Sequence, residues 1–143
     1  VDSTNQDVRF TRNRIRHELL PLLADQYNSG VVQSLIRLGE VAREVNALVE
    51  TQIEHYLPNC LLREEPNLVE FSQAKLLELP VHLRKQLILA CWKRQEWPEQ
   101  HMGFERWRQV SQVLEQRRTK VCLPGNTLIS SERGVIRLMR FDS

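Results

Sequence analysis

The sequence between Ser29 and Pro58 reads SGVVQSLIRLGEVAREVNALVETQIEHYLP, and its apolar residues recur at steps of three and four. This spacing puts them on one face of a helix. The residues are Val32, Leu35, Leu38, Ala42, Val45, Val49, Ile53 and Tyr56. Ser29 is a good N-cap, and Pro58 predicts the helix end because the residue before a proline avoids helical torsions. The stretch therefore predicts one long helix.

A shorter helix is predicted ahead of it. From about Thr11 the apolar positions again share one helical face; they are Ile15, Leu19, Leu20, Leu22 and Leu23. Pro21 lacks the N–H that would bond to the carbonyl of His17, so we expect a kink or break there and an end before Tyr27. With the polar lead-in from Val1 to Phe10, residues 1–58 are predicted to form a helical connector.

The rest of the chain predicts a small mixed domain over residues 59–143. After a loop from Asn59 to Pro66, a short strand is expected at Leu68 to Phe71. Three helices are expected to follow: Ser72 to Leu77, Pro80 to Arg94, and Gly103 to Gln116, where Phe104, Trp107, Val110 and Leu114 form the apolar stripe. Beyond Arg118 the period changes to two, and turn signals predict a hairpin that returns to Phe141. The predicted fold class is mainly α, with a helical connector, a small α+β domain and a C-terminal β-hairpin.

The composition excludes several classes of protein. The chain has 143 residues, 41% of them hydrophobic and 27% charged, as in ordinary globular domains. Cys60, Cys91 and Cys122 are widely spaced with no Cys-x-x-Cys pair, which predicts buried free thiols and not disulfides or zinc. The four histidines form no ligand pair, so no metal is expected. No secretory signal or membrane span is apparent, which favours the cytoplasm, and the opening on Val1 suggests a piece of a longer protein.

No complete catalytic set can be drawn from the chain. The five glycines are isolated, so no phosphate-binding loop is present, and nucleotide chemistry is not expected here. On a helix, Arg12 and Arg16 would stand one turn apart with Asn13 beside them, a face that suits phosphate or carboxylate. The alternatives are a solvated face, or arginines paired with Asp2 and Asp7.

Positive residues gather in the second half and could form a track for RNA phosphates. They are Arg84, Lys85, Lys93, Arg94, Arg106, Arg108, Arg117, Arg118 and Lys120, with Arg133, Arg137 and Arg140 near the end. Ordinary solvated helix faces are the alternative. Trp107 is expected in the core. Trp97, beside Pro98, is the better candidate for exposure and could stack on an unpaired base, although an anchor for the loop is the commoner role.

One segment resembles a known family. Asp2-Ser-Thr-Asn5-Gln-Asp7, followed by Arg12-Asn13-x-x-Arg16 and Pro21-Leu22-Leu23, resembles the segment that follows the ATP-pyrophosphatase (PP-loop) domain in bacterial tRNA(Ile)-lysidine synthetases. A Leu-Pro step at Leu79-Pro80 and a Leu-Pro-Gly step at Leu123 to Gly125 extend the likeness more loosely.

The resemblance implies an ATP-dependent ligase that attaches lysine to the wobble cytidine of isoleucine tRNA. ATP, with magnesium, and lysine would be substrates of the parent enzyme, and isoleucine tRNA and an ATP-pyrophosphatase domain of the same polypeptide would be the partners. The family's Ser-Gly-Gly-x-Asp-Ser loop does not occur in this sequence, so adenylation cannot be assigned to this chain.

The resemblance also implies that six residues line the edge of the active site; they are Asp2, Asn5, Asp7, Arg12, Asn13 and Arg16. Asp2 or Asp7 could hold the lysine ammonium, and Arg12 and Arg16 could neutralise phosphates of ATP or tRNA. Two other functions stay open: a non-enzymatic helical adaptor that docks protein on the long helix, and a general RNA-binding module.

Overall fold

The structure, a computed structural model, describes residues Phe10–Phe141. Contacts divide the chain into two compact units with the boundary between Ala47 and Leu48. This boundary falls inside the longest helix. The division at residue 58 proposed from the sequence stays a prediction.

The first unit is helical. It contains helix α1 (Thr11–Arg14), a π-helical turn (Ile15–Leu19), helix α2 (Leu20–Gln26) and the beginning of helix α3 (Val31–Cys60). The irregularity expected around Pro21 takes the form of this π-turn, in which the N–H of Leu20 donates to the carbonyl of Ile15. Because the wider turn accommodates the proline, the helix continues through Pro21 to Gln26 without breaking.

Helix α3 differs from the prediction at both ends. Gly30, not Ser29, precedes its first turn: the carbonyl of Gly30 accepts from Ser34 N–H at 2.9 Å, and Asn28 Oδ1 accepts from Gly30 N–H at 2.8 Å. At the other end Pro58 lies inside the helix, which runs on to Cys60. Leu57 and Cys60 are both buried in the core. Their packing holds a last turn that the proline would otherwise weaken.

The second unit contains a five-stranded antiparallel sheet with the order β1-β2-β5-β4-β3. Its strands are β1 (Leu61–Glu65), β2 (Leu68–Ser72), β3 (Lys120–Leu123), β4 (Thr127–Glu132) and β5 (Val135–Arg140). The expected hairpin is β4 and β5, joined at Arg133 and Gly134, which both have positive φ (50° and 79°), as a type I′ turn requires. Strand β2 pairs with β5, so the strand expected at Leu68 to Phe71 joins the same sheet.

Strand β1 corrects the prediction of a loop from Asn59 to Pro66. It pairs with β2 from Leu61 opposite Phe71 to Glu65 opposite Leu68. Edge strands need no apolar alternation, and most of β1 is exposed, so its sequence carries no period-two signal. The turn depends on Asn67, whose φ of 63° lies in the left-handed region that asparagine tolerates.

Three helices complete the second unit: α4 (Gln73–Leu77), α5 (Val81–Arg94) and α6 (Phe104–Leu114). Ser72 caps α4 as predicted, its hydroxyl accepting from Lys75 N–H at 3.5 Å. Pro80 is the N-cap of α5 and not its first helical residue. The core includes the fully buried side chains Phe71, Leu76, Leu87, Val113, Ile129 and Ile136. The predicted fold class, mainly α with a small α+β part, is confirmed.

A buried amide ties these helices to the sheet. Gln73, at the start of α4, donates through Nε2 to the Leu114 carbonyl at 2.7 Å. Its Oε1 accepts from Gln116 Nε2 at 3.1 Å and from Ser131 Oγ at 3.2 Å. Both ends of the amide are hydrogen-bonded, and these bonds offset the cost of removing this polar group from water.

The predicted apolar stripes of the first unit are exposed. Ile15, Leu19 and Leu22 lie open to solvent, and so do Leu35 and Leu38 on α3. Among the described residues up to Ala47, Asn13 alone is buried. Between Phe10 and Phe141 no helix is long and apolar enough to cross a membrane.

Candidate nucleic-acid interface

The N-terminal motif is described only in part. Asp2, Asn5 and Asp7 lie outside the described residues, so their predicted roles stay predictions. Arg12 in α1 and Arg16 in the π-turn are both exposed, and neither forms an ion pair with a described residue. Asn13 is 3% exposed, so its amide does not share the solvated surface of the arginines.

An open groove of about 350 Å³ lies along α1, the π-turn and α2. Its lining residues are Thr11, Arg14, Ile15, Glu18, Leu19 and Leu22. Ile15, Leu19 and Leu22 give the groove an apolar lining, and Arg14 and Glu18 add one charge of each sign. These six described residues include no set of side chains that would perform a reaction.

Several of the predicted RNA-binding cations have structural partners. Arg84 donates to the carbonyls of Leu79 (2.7 Å) and Leu77 (2.9 Å), and so satisfies groups at the end of α4. Arg94 pairs with Glu64 at 2.6 Å, and Arg117 pairs with Glu115 at 3.0 Å. Arg84 thus has a structural role at the end of α4, whereas the ion pairs of Arg94 and Arg117 lie at the solvated surface.

Other cations remain open. Lys93, Arg118 and Lys120 are exposed and form no ion pair within the described part of the chain. The ammonium of Lys85 lies 4.9 Å from the ring centre of Trp107, a cation–π distance. Trp107 is partly buried and packs against the core from its edge, in keeping with the expectation that it belongs to the core.

Three arginines gather around one carboxylate on α6. Arg108 forms a two-pronged bond to Glu105, with Nε at 2.9 Å and Nη2 at 2.8 Å from its oxygens. Arg106 donates to Gln109 Oε1 at 3.0 Å. The backbone N–H of Arg118 donates to the Gln112 carbonyl and so keeps this residue close to α6. We call Arg106, Arg108 and Arg118 the α6 arginine cluster.

The field of this cluster acts on Glu105. The hydrogen bond from Arg108 lowers the pKa of the Glu105 carboxyl, and the charges of Arg108, Arg118 and Arg106 lower it further. In turn, the bond to Glu105 raises the pKa of Arg108. One carboxylate cannot balance three guanidiniums, so the surface keeps an excess of positive charge that suits a phosphate backbone.

Trp97, which was the candidate for exposure, is buried. Trp97 is 3% exposed, with its ring edge-on to Trp92 at 5.0 Å, so the expectation of exposure is wrong. The indole N–H of Trp92 donates to the Pro98 carbonyl, which folds the loop over both rings. Trp97 therefore anchors the loop and cannot stack on a base.

Phe104 is the aromatic residue that the sequence pattern misplaces. It was expected on the buried stripe of its helix, yet it is 86% exposed. As the first residue of α6 it lies one turn before the part of the helix that packs on the sheet. A helical period describes which face is apolar, and it does not show how far along that face the core extends.

The thiols are free, as predicted, but not all are buried. Burial raises the pKa of Cys91 to about 11 and, less strongly, that of Cys60. Cys122, on edge strand β3, is exposed, which corrects the expectation for this residue. Within residues 10–141 no three His, Cys, Asp or Glu side chains are placed to hold a metal ion.

Comparison with known proteins bears on the resemblance at the N-terminal motif. The chain matches no family model. It is 34% identical over 94 residues to the tRNA(Ile)-lysidine synthase of Thermosynechococcus vestitus, a match that covers 66% of this chain and 26% of the relative. The corresponding enzyme of Mycobacterium bovis is 37% identical over 87 residues, or 61% and 27% of the two chains.

A third relative, the tRNA(Ile)-lysidine synthase of Symbiobacterium thermophilum, is 31% identical over 100 residues, or 66% of this chain and 20% of its own. The chain thus spans about a quarter or less of the length of these relatives. The resemblance read from the sequence is confirmed, and the chain is homologous to a part of the bacterial tRNA(Ile)-lysidine synthases.

Proposed function

We propose that this chain is the tRNA-recognition portion of an ATP-dependent ligase that attaches lysine to the wobble cytidine of isoleucine tRNA. The name shared by its relatives supports a role in tRNA modification. The observation that carries the RNA-binding role is the α6 arginine cluster, whose positive charge exceeds what Glu105 can neutralise. Clustered guanidiniums of this kind suit the phosphates of RNA.

The chemical step would need residues beyond this chain. No glycine-rich loop in the sequence could cradle a triphosphate, so ATP, with its magnesium, would be bound by an ATP-pyrophosphatase domain of the same polypeptide. The open groups of Arg12 and Arg16 suit the edge of such a pocket, where they would neutralise phosphates of ATP or tRNA. Asp2 or Asp7 would hold the ammonium of the lysine substrate. The setting of such an enzyme is the cytoplasm.

Filter binding of this chain to isoleucine tRNA at two salt concentrations tests the recognition role. We expect binding that weakens steeply with salt, because each phosphate contact releases counterions. The matched competitor is an unrelated structured RNA of equal length. If both RNAs bind equally well, the chain is a general RNA-binding module. If neither binds, the recognition role is wrong.

The role of the N-terminal motif is tested in the full-length protein. We expect Arg16→Ala to lower kcat/KM for lysidine formation by about tenfold to a hundredfold, because a charge-assisted contact contributes roughly 1.5–3 kcal/mol. The control is Arg43→Ala, which removes an exposed arginine of α3. An unchanged kcat/KM in Arg16→Ala would leave this residue without a part in the reaction.

A second candidate function rests on one observation, the row of exposed apolar side chains on α3. Leu35, Leu38, Val41, Val45 and Leu48 are each about half exposed or more. Such a face favours a helical protein-interaction module. This alternative predicts binding to protein that does not weaken with salt, and no affinity for tRNA.

A further inference from the structure

An exposed aromatic ring stands beside the α6 arginine cluster. Phe104 is the first residue of α6, and Arg108 follows it by four residues, so the two side chains lie on the same helical face one turn apart. Single exposed apolar residues are common and need no explanation by themselves. Here the open ring is combined with guanidiniums that exceed their carboxylate partner.

The positions of the cations limit what could bind. Glu105 fixes the guanidinium of Arg108, which follows Phe104 by one helical turn, and the charges of Arg106 and Arg118 act on the same carboxylate. A flat aromatic surface next to guanidinium groups matches a group that has both a planar ring and an anion. A nucleotide has both, and its base offers a π-face only when it is not stacked within a helix.

We propose that the start of α6 binds an unpaired nucleotide of RNA, with the base stacked on Phe104 and the adjoining phosphate held by Arg108, in a positive field to which Arg106 and Arg118 contribute. This inference rests on the proposed function and goes beyond it, because it names single-stranded RNA as the element recognised at this surface. Double-stranded RNA hides its bases and would contact only the arginines.

Glu105 has a defined part in this site as an internal competitor. Its two oxygens occupy Nε and Nη2 on one edge of the Arg108 guanidinium, so a phosphate that binds this edge must displace the carboxylate. A nucleotide gains stacking on Phe104 in addition to the ion pair, whereas an isolated phosphate ion gains only the ion pair. We therefore expect Glu105→Gln to tighten the binding of RNA.

Fluorescence anisotropy with this chain tests the site. The probes are a labelled single-stranded oligoribonucleotide and a blunt RNA duplex of the same length. We expect Phe104→Leu to weaken the single strand by about tenfold, the typical loss of one base–aromatic stack, and to leave the duplex unchanged. Phe104→Tyr should restore the affinity. The matched control, Tyr27→Leu, removes an exposed aromatic residue of the first unit and should change neither affinity.

The outcomes separate this inference from the proposed function. Unchanged single-strand affinity in Phe104→Leu, or an equal loss on both probes, would overturn the nucleotide site while tRNA binding by the unaltered chain still stood. Loss of single-strand affinity in both Phe104→Leu and Phe104→Tyr would also overturn it, since tyrosine keeps the ring. If the unaltered chain bound no RNA at all, both proposals would fall together.

Discussion

The two units use their apolar residues in opposite ways. In the second unit, a core of apolar side chains from the sheet and from α5 and α6 is almost completely removed from solvent, as at Phe71 and Ile136. In the first unit the helices have equally clear apolar faces, yet Leu19 and Leu38 remain exposed. The same helical period therefore accompanies a core in one unit and an open face in the other. Amphipathic spacing identifies the face that can be buried, and other contacts decide whether it is.

The largest expected effect compares one apolar deletion in each unit. Phe71→Ala should lower the free energy of unfolding by about 3–5 kcal/mol, because it leaves a cavity in a filled core. Leu38→Ala, on the exposed face of α3, should change it by less than about 0.5 kcal/mol. Denaturant unfolding followed by circular dichroism measures both. A large loss in Leu38→Ala would mean that this face is covered in solution, and the contrast between the units would fail.

A smaller effect is expected from the buried amide that joins α4, α6 and β4. Gln73→Leu should lower the stability of the second unit by about 1–3 kcal/mol, because Gln116, Ser131 and the Leu114 carbonyl would lose their partner. Gln33→Leu, an exposed change on α3, is the control. Equal stability of the two variants in urea titration would contradict the role given to the amide.

The smallest effect concerns thiol chemistry and pH. Since burial raises the pKa of Cys91 from 9.0 to about 11, stability from its neutral form is fully present below pH 9 and is lost as pH rises through about 11. Stability should fall over that range, and less steeply in Cys91→Val.

At pH 8, iodoacetamide should label Cys122 in the folded chain well before Cys91. Mass spectrometry of the digested protein measures which cysteine is alkylated first. Early labelling of Cys91 would contradict its burial.

Local chemistry made much of the fold predictable. The strands β4 and β5 follow from alternation and from a Gly-containing turn, and Ser72 predicts the cap of α4. The edge strand β1 was missed because its partner β2 supplies the pairing, and no alternation is required of a strand that is mostly exposed. Pro58 misled for a related reason, since burial of Leu57 and Cys60 supports the turn that contains it. Tertiary packing decided each of these cases.

The sequence predicted that the candidate site contains positive residues, but not which of them lie together. Clustered cations were evident from the sequence, but spacing could not show that Arg84 closes the end of α4 while Arg118 joins the field around Glu105. The aromatic residues show the same limit. Trp97 is buried because the loop at Pro98 folds over it and Trp92, whereas Phe104 is exposed because it lies at the first turn of α6, ahead of the residues that reach the core.

The salt dependence of tRNA binding shows whether the α6 arginine cluster contacts phosphates. We expect replacement of Arg106, Arg108 and Arg118 by Gln to reduce the slope of log affinity against log salt by about one for each lost phosphate contact. Replacement of Arg63 and Arg137, which lie on strands β1 and β5 and not beside Glu105, should leave the slope nearly unchanged. If the cluster variant kept the full slope and affinity for isoleucine tRNA, this surface would not be the interface, and the account would be contradicted.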